Sequence, residues 1–197
     1  MESNYICRMQ RIAIFASGTG TNAARIIEYF KGHKTIEVSL VLSNNSKAPV
    51  LDKATNADVE TYTFNRETFY NTNQVLNKLN SAKIDMVILA GFMWLVPENL
   101  VHAYSDHIMN IHPALLPKYG GKGMYGMHVH RAVKEAGETE TGVTIHLVNK
   151  EYDKGRILAQ AKCVIDKKDT PEIIAEKIHA LEYANFPVEI ERYLLNP

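Results

Sequence analysis

The first half of the chain alternates short apolar runs with segments of helical spacing, and this alternation restricts the fold more than any other feature. Five segments have strand length: Arg11–Ala16, Ile36–Leu42, Glu60–Phe64, Asp85–Gly91 and Ile108–Ile111. The first is a short apolar run, and Asp85–Gly91 is nearly all apolar. The helical segments are Ala23–Lys31, Pro49–Asn56, Arg66–Ala82 and Pro97–Tyr104. Strands that are nearly all apolar are typical of parallel sheets covered by helices on both faces. The pattern predicts an α/β fold with a doubly wound, mostly parallel sheet.

The second half departs from this alternation and predicts an antiparallel strand. The glycine-rich segment Lys118–Met127 is interpreted as a long loop, and a helix is predicted over Val129–Ala136. Two further strands, Gly142–Val148 and Arg156–Val164, are joined by Asn149–Gly155. Thr170 and Pro171 supply an N-cap and a first-turn proline for a last helix through Leu181. No repeat or linker interrupts the chain, so we expect a single domain.

Composition restricts the class of protein. The 197 residues suffice for one domain with a substantial core, and the formal net charge of zero gives no electrostatic support for a nucleic-acid partner. The two cysteines, Cys7 and Cys163, form no metal or redox motif, which favours a reducing compartment. Met1–Gln10 lacks a signal-peptide core, and the longest apolar run, Met86–Val96, is too short for a bilayer. We expect a soluble cytoplasmic protein without a membrane partner.

The stretch Asn110-Ile111-His112-Pro113, followed by Ala114-Leu115-Leu116-Pro117, is the most informative candidate for chemistry. Positions i and i+2 of an extended segment face the same way, and a proline favours extended backbone in the residue before it. Asn110 and His112 should therefore point into one space, as a pair that can polarise a carbonyl group and move a proton. A polar strand end that caps a turn explains the spacing equally well.

The turn Ser17–Asn22 between the first strand and the first helix predicts a phosphate site. Its glycines allow a tight turn, and free amides at a helix start attract anions. Gly18, Gly20 and Ala23 also match a dinucleotide fingerprint, but the second strand is followed by Ser43-Asn44-Asn45 and lacks the expected acidic residue. No Gly-Lys-Ser/Thr follows, which excludes a Walker loop. The alternative is an ordinary tight turn.

Other polar residues carry weaker signals. Asp153 has the sequence context of a simple turn. His146 alternates with apolar residues, so it is either a structural histidine that faces the core or a functional one. His128 and His130 are interpreted as structural or rim residues, and no metal is predicted. Glu182 is taken by default as a solvated carboxylate.

Together, these stretches resemble the phosphoribosylglycinamide formyltransferases, folate-dependent enzymes of purine synthesis, over nearly everything from Met9 onward. The resemblance rests on Ser17–Asn22, Ala90–Met93, Asn110–Gly121, Gly142–Val148 and the Asp153-Lys154-Gly155 turn with Ile157–Gln160. The Asn-Ile-His-Pro-x-Leu-Leu-Pro motif is specific to the wider formyltransferase superfamily, and the first glycine turn points to the glycinamide branch. Residues 1–8 look like an extra leader, and 9–197 like the formyltransferase domain.

The resemblance implies transfer of the formyl group of 10-formyltetrahydrofolate to the amine of phosphoribosylglycinamide, with small-molecule partners only and a monomer or weak homodimer. It implies that Asn110, His112 and Asp153 are catalytic, with Asp153 favouring the protonated form of His112. The implied nucleotide site is Ser17, Gly18, Thr19, Gly20, Thr21, Asn22 and Glu182. The implied folate site is Arg66, Phe92, Met93, Trp94, Leu95 and Val96.

The chain departs from the family pattern in three places. Trp94 stands where many members have a basic or other residue. Lys154 replaces the first glycine of a common Asp-Gly-Gly, and the segment Lys118–Met127 is longer than in some members.

Three alternatives stay open. The first is a formyltransferase that acts on an amino sugar or on an initiator aminoacyl-tRNA, although the tRNA enzyme needs a further domain and a positive surface. The second is a nicotinamide-dependent reductase that uses Gly18 and Gly20, which the missing acidic residue disfavours. The third is a non-catalytic paralogue, disfavoured because Asn110, His112 and Asp153 are all present.

Overall fold

A computed structural model describes residues 8–196 and contains one seven-stranded sheet with helices on both faces. The strands are β1 Gln10–Phe15, β2 Ile36–Ser43, β3 Glu60–Thr63, β4 Met86–Leu89, β5 Ile108–His112, β6 Glu140–Leu147 and β7 Ile157–Val164. The helices are α1 Thr21–Phe30, α2 Pro49–Asn56, α3 Arg66–Tyr70, α4 Gln74–Ser81, α5 Glu98–Ala103, α6 Met127–Glu135 and α7 Pro171–Leu195. The predicted leader, apart from Arg8, lies outside the described residues.

The order of the strands confirms the doubly wound fold. The sheet runs β3-β2-β1-β4-β5-β6-β7, and β1 to β5 are parallel. Strand β6 is antiparallel to both β5 and β7, which confirms the predicted antiparallel strand. The chain winds outward in one direction from β1 to β3 and in the other from β4. Such a reversal leaves a crevice at the carboxyl ends of the two central strands, where open α/β sheets bind ligands.

Each face of the sheet packs into its own hydrophobic core. Ile12 and Ile14 of β1 face a core that includes apolar residues of α1, α2, α6 and α7. Ala13 and Phe15 alternate with them and face a second core, built with α3, α4 and α5. Burial on both faces is the reason that the central strands are nearly all apolar.

The helix predicted over Arg66–Ala82 is in fact two helices, α3 and α4, separated by Asn71–Asn73. The Thr72 hydroxyl donates to the Thr68 carbonyl oxygen at 3.0 Å and accepts from the Gln74 backbone N–H at 3.2 Å. Side chains of this kind offer the backbone an alternative to the helical hydrogen bond. The apolar spacing therefore predicted helical structure correctly, but it did not predict the break between α3 and α4.

The last helix is much longer than predicted. It was expected to run through Leu181, whereas α7 runs for 25 residues to Leu195 and contains Pro187. A proline inside a helix removes one backbone hydrogen bond. Phe186 and Ile190 on either side of it are fully buried, so tertiary packing holds the helix together through the proline. Within residues 8–196, no helix meets the length and apolarity needed to cross a bilayer.

Candidate active site

A cavity of about 680 Å³ lies along the carboxyl ends of β1, β4 and β5. Its walls include nearly all the residues that the sequence predicted for the site: Ser17–Asn22, Phe92–Val96, Asn110, His112, Asp153 and Glu182. His130, His146 and His179 also line it. The structure therefore brings into one space residues that are spread over most of the chain.

The turn Ser17–Asn22 leads into the N-terminus of α1 with its backbone amides uncapped. Gly20 is the N-cap in the left-handed conformation, with φ 67° and ψ 36°, and no side chain caps the helix. A β-carbon at Gly20 would also lie 2.2 Å from Val50 Cγ2, so only glycine fits there. The first turn of α1 carries no acidic residue. Free N–H groups and the positive end of the helix dipole together suit an anion.

A hydrogen-bonded link joins this turn to the segment that follows β4. The Ser17 hydroxyl accepts from the Met93 backbone N–H at 3.0 Å, and the Ser17 backbone N–H donates to the Gly91 carbonyl oxygen at 3.1 Å. The predicted nucleotide site and the predicted folate wall therefore share one rigid junction at the switch point of the sheet.

Asn110 and His112 point to the same side of β5, as their spacing predicted. Their neighbours Met109 and Ile111 belong to the first core, so the two polar side chains lie on the opposite face. The β5–β6 register places His146 directly across from Asn110. The Asn110 amide nitrogen lies 3.0 Å from His146 Nε2. His146 Nδ1 lies 2.9 Å from the Leu147 carbonyl oxygen. Because a carbonyl only accepts, Nδ1 carries a hydrogen, and Nε2 lies between the Asn110 amide and the Asp153 carboxylate.

Asp153 reaches this group from the loop between β6 and β7, which folds back over the same face of the sheet. Its Oδ2 lies 3.6 Å from His112 Nδ1, and its Oδ1 lies 3.6 Å from His146 Nε2. The Gly121 backbone N–H donates to Oδ2 at 2.8 Å. Asp153 itself has φ 54°, a left-handed conformation that aspartate tolerates better than most residues. The interpretation of Asp153 as a turn residue therefore explains its backbone conformation, but it does not explain the contacts of its side chain.

Burial and charge act in opposite directions on the pKa values of this pair. Burial lowers the pKa of His112, and it outweighs the opposing effects of the Asp153 carboxylate and the Tyr119 carbonyl. Burial alone would raise the pKa of Asp153. The interaction with His146, the charge of His112 and the Gly121 amide together hold that pKa below its ordinary value. The Asp153 carboxylate thus favours the protonated ring, as expected, but burial acts more strongly and favours a neutral His112 beside an ionised Asp153 in the unliganded protein.

The Pro113–Pro117 turn is fixed to the sheet by a fully buried hydroxyl. Thr144 Oγ1 donates to the Ala114 carbonyl oxygen at 2.7 Å and accepts from the Leu116 backbone N–H at 2.9 Å. Gln160 Nε2 donates to the same hydroxyl oxygen at 2.9 Å. Beyond this turn, the Tyr119 carbonyl oxygen accepts from His112 Nε2 at 2.7 Å. The turn that follows the Asn-Ile-His motif therefore sets the orientation of the imidazole.

Glu182 is a buried member of the site, contrary to the default interpretation of a solvated carboxylate. Its side chain accepts from the Asn22 amide at 2.8 Å, which ties the middle of α7 to the first turn of α1. Burial raises the pKa of Glu182, and the Asn22 hydrogen bond opposes that shift. The structure thus places Glu182 in the cavity wall, where the family resemblance implied it, although its position after the predicted helix end gave no sign of burial.

Arg66 lies outside the cavity, on the outer side of an aromatic group. Its guanidinium lies 5.1 Å from the Trp94 ring centroid and 5.9 Å from that of Tyr70. The Tyr70 hydroxyl donates to the Leu95 carbonyl oxygen at 3.0 Å. Since Trp94 lines the cavity, Arg66 sits at its rim, one ring away from the interior. Phe92 and Trp94 pack partly against the second core, whereas Met93 is 45% exposed.

Sequence reasoning left two buried site residues, His146 and His130, without a function. The sequence pattern around His146 is the same as that around any polar residue that faces the inside of a strand. Only the β5–β6 register, which the sequence does not give, places His146 next to Asn110. His130 follows an exposed His128 on the same helix and was interpreted as structural or as part of the rim. Within residues 8–196, no cluster of three His, Cys, Asp or Glu side chains could hold a metal ion.

A family profile described as formyl transferase matches residues 10–190. The chloroplastic phosphoribosylglycinamide formyltransferase of Arabidopsis thaliana is 38% identical over 182 residues, which are 89% of this chain. The chain spans only 62% of the length of that relative. The phosphoribosylglycinamide formyltransferase of Haemophilus influenzae is 35% identical over 188 residues, which are 93% of this chain and 86% of that protein.

Solved structures agree with these matches. The crystal structure of phosphoribosylglycinamide formyltransferase from Bacillus halodurans superimposes with a TM-score of 0.85 at 35% identity. The superposition covers 95% of this chain and 96% of that one. The chain therefore belongs to the formyl transferase family, in its phosphoribosylglycinamide branch.

Proposed function

We propose that this protein transfers the formyl group of 10-formyltetrahydrofolate to the glycine amine of phosphoribosylglycinamide, a step of purine biosynthesis. The observation that carries the proposal is a single cavity with two different ends. One end has the uncapped amides of α1, and the other has Asn110, His112, His146 and Asp153 in contact with one another. The first end suits the phosphate of a phosphorylated acceptor, and the second suits the reacting group of a formyl donor.

The acceptor nucleotide is assigned to the α1 end of the cavity. Its phosphate accepts hydrogen bonds from the backbone amides of Gly18–Asn22 and from the hydroxyl and amide side chains of the turn. The Glu182 carboxylate lies one hydrogen bond from Asn22, where it can bind hydroxyl groups of the sugar. The folate is assigned to the wall formed by Phe92–Val96, with its glutamate tail directed toward Arg66 at the rim.

The chemical step is an attack by a neutral amine on a formamide-like carbonyl carbon. The carbonyl oxygen gains negative charge as the new C–N bond forms, and the attacking nitrogen becomes acidic. Asn110 has a second amide N–H that is not used by His146, and it can donate to that oxygen. A donor aimed at the developing charge typically contributes ~100-fold to 1,000-fold to kcat.

Neutral His112 then accepts the proton of the attacking amine at Nδ1. The resulting imidazolium lies 3.6 Å from the Asp153 carboxylate, and the two form an ion pair only at this stage. The low pKa of Asp153 keeps it ionised for that purpose. As the old C–N bond breaks, His112 returns the proton to the departing folate nitrogen, so tetrahydrofolate and the formylated amide leave without a covalent enzyme intermediate.

The alternatives of the sequence analysis fit less well. No observation favours a nicotinamide reductase or a non-catalytic paralogue, and the relatives named above are all phosphoribosylglycinamide formyltransferases. The cytoplasmic location and the monomeric or weakly dimeric state stay predictions of the sequence.

The proposal is tested by measuring turnover of the purified chain with 10-formyltetrahydrofolate and phosphoribosylglycinamide. We expect formylation of the amine, and we expect inorganic phosphate to compete with the nucleotide and not with the folate. An amino sugar and NADPH serve as control substrates that should give no product. Turnover of either control with none of the nucleotide contradicts the proposal.

A further inference from the structure

His130 in α6 is a buried polar side chain that the mechanism above does not use. Its ring is 3% exposed and lines the cavity, while Val129 and Val133 of the same helix pack into the first core. Of the two interpretations of His130, structural residue or rim residue, its burial excludes the exposed rim. A polar ring held this deeply at the cavity wall needs an explanation in terms of what it binds.

The surroundings of His130 Nδ1 indicate which ring nitrogen carries the proton. Nδ1 is buried and has no hydrogen-bond partner within residues 8–196. A neutral imidazole carries its hydrogen on one nitrogen only, and a buried N–H without an acceptor costs free energy. The hydrogen therefore belongs on Nε2. Burial lowers the pKa of His130 to about 4, and the charges of His179 and His112 act in the same direction, so the ring is neutral near pH 7.

The neighbours of His130 locate it along the cavity. His112 belongs to the end where the formyl group reacts. His179 lies on α7 with Glu182, which is hydrogen-bonded to Asn22 beside the phosphate-binding amides. His112, His130 and His179 all line the same cavity. A nucleotide that spans the two ends of this cavity, with its phosphate at α1 and its amine at His112, can therefore also contact His130.

We propose that His130 is a substrate-positioning residue whose Nε2–H donates a hydrogen bond to the carbonyl oxygen of the glycinamide group. The proposal rests on the function proposed above. Glu182 offers oxygen atoms to the hydroxyl groups of the sugar, whereas the glycinamide carbonyl needs a donor. A ring that stays neutral supplies this donor without taking the proton of the amine, which is left for His112.

Two matched substitutions test this assignment. His130→Leu removes the donor and keeps an apolar filling, whereas His130→Gln places an amide N–H close to the position of Nε2. We expect His130→Leu to raise the KM for the nucleotide roughly 5-fold to 10-fold, the effect of one lost neutral hydrogen bond. The KM for folate should not change, and His130→Gln should recover most of the loss. A thermal melt of each variant reports whether it is folded.

A second measurement uses the wild-type protein, so it does not depend on the folding of a variant. Nitrogen-15 NMR of the histidine rings should show His130 as the neutral Nε2–H tautomer, with an Nε2 resonance that moves when phosphoribosylglycinamide is added and not when folate is added. An Nδ1–H tautomer, or a KM for the nucleotide that His130→Leu leaves unchanged, overturns the assignment. Absence of turnover by the wild-type protein contradicts the proposed function instead, so the two failures are distinguishable.

Discussion

His112 and Asp153 show how the surroundings of a single residue determine its chemical role. Burial keeps His112 neutral in the resting protein although a carboxylate lies 3.6 Å from Nδ1. The same carboxylate favours the protonated ring once a proton has arrived from the substrate. A base that is neutral before the reaction and is stabilised as a cation during it favours the transition state over the ground state.

The first prediction concerns this pair. We expect His112→Ala and Asp153→Asn each to lower kcat by at least ~100-fold, the scale of one lost acid–base group. If the two act as a unit, the double variant should be little worse than the poorer single variant. Nucleotide binding, measured by calorimetry, should persist in all three. Independent, multiplicative losses contradict a shared role, and full activity of Asp153→Asn removes the mechanism.

The second prediction concerns Arg66, which is exposed and rests on the Trp94 ring. An exposed ion pair contributes only ~0.2–1 kcal/mol, so Arg66→Ala should raise the folate KM by up to about 5-fold and leave kcat nearly intact. Arg66→Lys is the matched control, because it keeps the charge and loses the planar stacking on Trp94. A collapse of kcat with an unchanged folate KM would mean that Arg66 is misassigned.

At the scale of elements, the start of α1 combines a binding role with a packing role. The Gly20 backbone is left-handed, and the Cα hydrogen occupies space in which any side chain would meet Val50. Gly18, two residues earlier, has open space around its Cα. One glycine of the turn is therefore needed for the fold, and the other leaves room for a ligand.

The third prediction separates these two glycines. Gly20→Ala should lower the free energy of unfolding by ~2–4 kcal/mol, because it adds left-handed strain and a clash with a fully buried valine. Gly18→Ala, the matched control, should change stability by less than ~1 kcal/mol. Urea unfolding of both variants measures the difference. Equal losses in the two would show that the conformation and packing at Gly20 are not limiting.

At the scale of the whole molecule, two buried histidines make the free energy of unfolding depend on pH. Burial lowers the pKa of His130 to about 4 and also lowers the pKa of His112. Below the unfolded-state pKa of about 6.5, the unfolded chain binds protons that the folded protein does not. The stabilisation from these neutral rings is therefore present above that pH and is lost as pH falls. Glu182 acts in the opposite direction, because burial raises its pKa.

The fourth prediction follows from this linkage. When the pH falls from about 7.5 to about 5.5, His130 alone should lower the free energy of unfolding by ~1 kcal/mol. His130→Leu should show a correspondingly shallower dependence on pH over this interval. Urea unfolding at several pH values, for both proteins, measures the two slopes. Parallel slopes would show that His130 is not neutral in the folded state.

The sequence by itself determined the class of fold and the core of the site. Strand-length segments, the innermost of them apolar, alternating with helical spacing, were enough for a doubly wound sheet, since burial on both faces favours apolar residues along the central strands. The step from Asn110 to His112, held extended by Pro113, was enough to place both side chains on one face, because strand geometry has a period of two. Both features depend only on residues that are close together in the sequence, so the sequence alone is enough to predict them.

Only the tertiary structure decided what depends on which elements meet. His146 joined the site because the antiparallel register placed it opposite Asn110, and Asp153 joined because its loop folds back over β5. Glu182 and His130 line the cavity because α7 and α6 bury them against it, and burial also favours a neutral His112. Register, loop path and burial are set by contacts between distant segments, so no pattern within one segment can encode them.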